Sequence, residues 1–243
     1  MKRTERRHLK DNELVVLAAS ARRTVEQYRR VFTAATVLVV LLAAGLAGYL
    51  AWNNRTEGRA GRLLADAMNV DEARVGPPPA SGTPSPASLS FATEREKRQA
   101  ALTKFKIVAD EYPATDAGIF ARYREAATFM ALGEPASAAK SYQDVIDRGG
   151  DRLYAQMARL GLAEAQAQTG QYDQAISTFK SLAEQKDADL PVDGILMRLG
   201  RAYLDAGKQS DAEQTFNQLV GQFPESPFSG EARRELDSLK KPS

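Results

Sequence analysis

Little in this chain could do chemistry on its own. Histidine occurs once, at His8 in a charged N-terminal stretch, and cysteine is absent. Disulfides, thiolate nucleophiles and cysteine-ligated metal sites are therefore excluded, as is a lipid carried on an N-terminal cysteine, and a lone histidine lacks the partners a metal needs. Asp110, Glu111 and Asp116 lie close enough in sequence for paired acid and base work. They fall at helix ends or exposed positions, where solvation accounts for them. Glycine-rich phosphate loops, nucleophile elbows and helical H-E-x-x-H pairs do not occur. The expectation is a non-enzyme with no cofactor, no metal and no small-molecule substrate.

What the sequence does carry is a period. Gly133, Gly170 and Gly207 are spaced by 37 residues. Ala101, Ala138, Ala175 and Ala212 follow the same step, as do Phe105, Tyr142, Phe179 and Phe216. Pro113 and Pro224 stand 111 apart, three such steps. Four residue classes in one register indicate stacked copies of a single supersecondary unit.

The stretch "RLGRAYLDAGKQSDAEQTFNQLVGQFP", residues 198–224, shows what one unit is. Leu196, Leu199, Gly200, Tyr203 and Leu204 share one face of a first helix, which Gly207 ends in the left-handed conformation. Ala212, Phe216, Leu219, Val220 and Phe223 form the face of a second helix running back, and Pro224 stops it. Gly200 and Ala212 are small enough for the two helices to approach closely, with Phe216 filling the space beside them.

Leu199, Gly200, Tyr203, Ala212, Phe216 and Pro224 together resemble the tetratricopeptide repeat pattern, W-x2-L-G-x2-Y, then A-x3-F, then P. The preceding unit keeps Leu162, Ala163, Gly170, Ala175 and Phe179 but has Gln166 where the tyrosine belongs. The one before keeps Ala126, Phe129, Gly133, Ala138 and Tyr142. The 37-residue period exceeds the usual 34, which points to lengthened turns such as "EQKDADLPVDG". The fold expected is all-α: a solenoid of three to four helical hairpins over 91–243, closed by a capping helix. In that helix Ser226 and Pro227 serve as cap and first-turn residue, and Phe228, Ala232, Leu236 and Leu239 form the apolar stripe.

Ala101 and Phe105 mark the second helix of an earlier unit whose first helix is missing from its place. There the chain reads "GPPPASGTPSPASLS", residues 76–90, a proline-rich segment expected to act as an extended spacer. A helix over 53–75 either fills the vacant role, making the spacer an insertion in the first repeat, or simply continues what precedes it.

That preceding segment is Val31 to Trp52, 22 residues without a charge. As a helix it measures about 33 Å at ~1.5 Å per residue, enough to cross a bilayer core. A cleaved signal peptide is the rival reading, but its apolar core is shorter, ~7–15 residues. Residues 1–30 hold nine Lys and Arg against four acids, while the rest of the chain sums to net negative. This asymmetry argues against nucleic acid as a partner of the body and places the N-terminus in the cytoplasm with the body outside.

A basic head, a single span and a tetratricopeptide body together resemble the ancillary subunits of the SecYEG translocon in the bacterial inner membrane. The resemblance implies a membrane-embedded protein with a periplasmic body whose partners are translocon subunits, exported chains or periplasmic chaperones. A scaffold of the kind represented by the periplasmic cell-division coordinators, serving cell-wall synthesis or division, is the alternative. Matching the repeats places Tyr123, Met130, Leu160, Glu164, Gln168, Met197, Arg201 and Asp205 toward the protein-binding wall of the solenoid.

Overall fold

The computed structural model describes residues 28–76, 89–149, 153–185 and 190–240. The basic segment 1–30, up to its last three residues, and His8 lie outside the described residues. So do 186–189 in the expected long turn and 77–88 of the proline-rich segment. The chain divides into two compact units, Met1–Arg55 and Thr56–Ser243.

In the first unit the apolar run is helical, within α1 (Arg29–Asp71). Its large side chains are exposed, Leu38, Leu41, Leu42 and Leu46 at 59–65%. Among the described residues α1 is the one helix long and apolar enough to cross a membrane, with a mean hydropathy of 2.2 in its most apolar window. The helix continues through the residues expected to form a separate segment over 53–75 and stops at Asp71.

The second unit begins in the later turns of α1 and is otherwise built from α2 (Glu94–Glu111), α3 (Asp116–Leu132), α4 (Pro135–Gly149), α5 (Leu153–Gln168), α6 (Tyr172–Glu184), α7 (Val192–Asp205), α8 (Gln209–Gln222) and α9 (Ser229–Leu239). Each helix packs on its successor from α2 to α9. The first helices also touch one another, α3 with α5 and α5 with α7.

The periodic residues do what their types dictate. Gly133, Gly170 and Gly207 adopt φ of 80°, 79° and 72°, the left-handed region that any Cβ would strain. Each ends its helix in the same hydrogen-bond pair. For Gly207 its own N–H donates to Leu204 O and that of Lys208 to Tyr203 O, and Gly133 and Gly170 repeat the pattern. Ala101, Ala138, Ala175 and Ala212 are fully buried, and Phe105, Tyr142, Phe179 and Phe216 are at most 4% exposed. A Cβ on Gly200 would stand 2.3 Å from the Phe216 ring, so this glycine sets the approach of α7 and α8. Gly161 does the same for Tyr142 of the preceding pair, also at 2.3 Å.

The vacant first helix is supplied by α1. Ala67 and Val70 are buried in one cluster with Ala101, Phe105, Val108, Ala109 and Ala121. Asp66 pairs with Lys104 at 2.6 Å, and Asp71 pairs with Arg124, whose guanidinium lies 5.6 Å over the Phe105 ring. The two readings of this helix are thus one object: it continues the apolar run and also packs as the first helix of the first pair.

Two expectations are corrected. The proline-rich segment does not hold its flanks apart. Arg74–Val75 (β1) and Ser90–Phe91 (β2) pair as parallel strands, and Gly76 N–H donates to Phe91 O at 3.0 Å. These flanking residues therefore meet instead of standing apart. Secondly, α9 starts at Ser229, not beside Ser226. The Ser226 hydroxyl is taken up in a turn, donating to Asp193 at 2.6 Å and accepting from Phe228 N–H at 3.1 Å. Ala232 and Leu236 are buried and Phe228 and Leu239 pack against the same core, as the stripe anticipated.

Candidate binding groove

The packing of α5 against α7 leaves an open groove of about 340 Å³, lined by Glu164, Ala167 and Gln168 of α5, by Met197, Arg198, Arg201, Ala202 and Asp205 of α7, and by Phe179 and Phe228. It exists because the facing positions Ala167 and Ala202 are small. Phe179, Met197 and Ala202 are buried and make an apolar floor, with half-buried Phe228 at one side.

The rim is charged, and its cations are already engaged. Arg198 pairs with Glu164 across the groove and donates to Gly194 O at 2.9 Å. Arg201 pairs with Glu231 on α9. Gln168 and Asp205 occupy the same register position in successive first helices, one 37-residue step apart, and both are exposed. Neither side chain has a hydrogen-bond or ion-pair partner among the described residues.

Five of the eight residues expected on the wall border this groove: Glu164, Gln168, Met197, Arg201 and Asp205. Met197 is 2% exposed and contributes floor, not a free side chain. Leu160 packs against the core of the last two pairs, and Tyr123 and Met130 pack against the core between α3, α4 and α5. Tyr123 lies in an aromatic group with Phe120, Tyr142 and Tyr154, the Phe120 and Tyr154 rings being 5.0 Å apart. Burial pushes the Tyr123 and Tyr142 hydroxyls above their ordinary range. The Arg124 charge opposes the rise in both and the Glu164 charge adds to it.

Ala167, Phe179, Arg198, Ala202 and Phe228 were not singled out as lining residues. Arg198 stands one 37-residue step after Gly161, a residue of another type, so the period held no signal for it. Phe228 had none either, because it enters from the capping segment outside the repeat register.

Of the acids noted for possible catalysis, Asp110 is engaged in an ion pair. Asp110 accepts from Arg122, which also pairs with buried Glu125 at 2.6 Å and Asp144 at 3.0 Å, tying α2, α3 and α4 together. Burial pushes the Glu125 carboxyl above its ordinary value, against the Arg122 charge and the Ser141 hydroxyl, which donates to it at 3.1 Å. Burial lowers the Arg122 guanidinium, but hydrogen bonding to Asp110 and the charges of Glu125 and Asp110 outweigh this and raise it. Asp116 opens α3, where its backbone N–H donates to Glu57 at 3.2 Å.

With helical pairs, glycine terminators and aromatic seats in one register, comparison with known proteins decides the family. A profile described as "Tetratricopeptide repeat-like domain" matches residues 25–240. The chain belongs to the tetratricopeptide repeat-like family. Two crystal structures of nearly identical TPR-like repeats, from a Podosopora anserina protein named for kinesin light chain, share its fold. One, a sequence variant of the other, has 16% identity to this chain and the second 15%, both with a TM-score of 0.55. Each comparison covers 75% of this chain and 85% or 86% of the other. No curated protein matches the sequence. In this tetratricopeptide-like chain the groove therefore lies between first helices of consecutive repeats.

Proposed function

We propose that this protein is a membrane-anchored module that binds other proteins, with α1 as anchor and the repeat body on the outer face of the bacterial inner membrane. The observation that carries the binding role is the groove between α5 and α7, with an apolar floor and a charged rim. An open site built by first helices suits a few residues of an extended or helical segment better than an enclosed small molecule. The exposed apolar run and the basic residues before it support the anchor and its orientation. The same layout supports work beside the translocon, receiving exported chains or passing them to chaperones.

The test is photo-crosslinking in intact cells, with a photoreactive residue at Gln168 or Asp205, both exposed. Adducts with translocon subunits and a spread of exported chains are expected. Adducts confined to one or two cell-wall or division proteins would replace the translocon role with envelope scaffolding. Absence of adducts from both positions would refute the groove as a binding site.

A further inference from the structure

We infer that the segment held in the groove is one that places an apolar side chain beside a lysine or arginine. This rests on the protein-binding reading above and adds the chemistry of the ligand. Five charged groups stand at the groove: Glu164, Arg198, Arg201 and Asp205 line it, and Glu231 reaches it from α9.

Both cations are spent. Arg198 is held by Glu164 and a backbone carbonyl, and Arg201 by Glu231. An acidic ligand would meet cations already neutralised by Glu164 and Glu231, beside the uncompensated charge of Asp205. Asp205 is the one carboxylate left over, exposed at the rim on the same helix as the buried floor residues Met197 and Ala202. A ligand cation can meet it without displacing anything. The electrostatics therefore favour positive segments and penalise negative ones.

The remaining features define the rest of the ligand. Ala167 and Ala202 leave room over the floor, and Phe179 and Phe228 supply apolar wall, so one apolar side chain can bury there. Gln168 offers an unengaged amide one repeat away from Asp205, with both a donor and an acceptor for the main chain of an extended segment. Apolar seat, Gln168 side-chain amide and rim carboxylate together read a short motif and not a sequence of any length.

The full-length protein in lipid nanodiscs is titrated with three fluorescent nonapeptides that differ only after a central leucine, carrying Lys, Gln or Glu. The Lys peptide is expected to bind about threefold tighter than the Gln peptide at low salt, and the Glu peptide weakest, with the difference shrinking as salt rises. Asp205→Asn should erase the preference for Lys, and Asp205→Lys should reverse it toward Glu. Asp205 is exposed, so neither change threatens folding. Binding that ignores charge, or that prefers Glu in the unaltered protein, overturns this inference while leaving the protein-binding role standing. If no peptide binds but crosslinks still form at Gln168, the motif is wrong and the groove is right. If both fail, both readings fall.

Discussion

The most exacting test of the helix packing is Gly200→Ala. The new methyl would sit 2.3, 2.6 and 2.8 Å from three atoms of the Phe216 ring, which is fully buried. To restore ordinary contact the ring must withdraw by about 1 Å into a core packed as densely as a crystal. Overpacking of this kind costs about 1–3 kcal/mol. Alanine in place of a helical glycine returns about 0.8–1 kcal/mol. The net expectation is a loss of up to about 2 kcal/mol, or up to about 4–8 °C in Tm for a body of this size. Thermal unfolding of the full chain in detergent, followed by circular dichroism, measures it, and hydrogen exchange should place the loosening in α7 and α8. Gly221→Ala is the matched control. It makes the same change in α8 with nothing within 4 Å, so only the helix preference remains and stability should rise. Adding Phe216→Leu to Gly200→Ala should recover part of the loss, a coupling that independent sites would not show. If Gly200→Ala stabilised the protein as much as Gly221→Ala, the close approach of α7 and α8 would be refuted.

Gly170→Ala, at φ 79° with open space around it, isolates backbone strain from crowding. It should cost about 1–2 kcal/mol by the same unfolding measurement, and a neutral result would remove the left-handed terminator. Glu125 gives a pH signature. Its folded pKa is raised, so the folded state holds the proton more tightly than the unfolded chain, and its contribution falls as pH rises from the unfolded value through the raised folded one. The stability of the unaltered protein minus that of Glu125→Gln should therefore decline across that window and flatten above it; a rising difference contradicts the burial argument. Ser226→Ala removes the bonds to Asp193 and Phe228 N–H. It should cost about 1–2 kcal/mol and raise exchange selectively in α9, whereas uniform change along the body would deny the turn its role in seating that helix.

The repeat core was readable because its residues answer to single physical demands. Only glycine accepts φ near 80° without strain, so Gly133, Gly170 and Gly207 announced three helix ends. Ala212 and Phe216 announced a close crossing in the same way. What the period could not convey is which neighbour a side chain meets. Tyr142 is seated by Gly161 from the next repeat, while Phe216 is seated by Gly200 from its own, although the two aromatics share one register position. The groove was legible as a set of positions on first helices, since Glu164, Gln168, Arg201 and Asp205 step regularly. Its floor and flank were not. Met197 turns inward to 2% exposure, and Phe228 arrives from a segment that breaks the register. Ser226 read as a helix cap because serine before proline is such a signal, and the structure spends that hydroxyl on Asp193 instead.

The pairing of Arg74–Val75 with Ser90–Phe91 has a practical meaning for anyone who wants to alter this protein. The chain leaves and re-enters the body at adjacent points, so the connection between them closes a loop. Closing such a loop costs only about 0.6 kcal/mol more for each doubling of its length. A tag, a protease site or a small reporter domain placed between Gly76 and Leu89 is therefore an addition the repeats can carry at small cost in closure, and it alters none of the residues that line the groove.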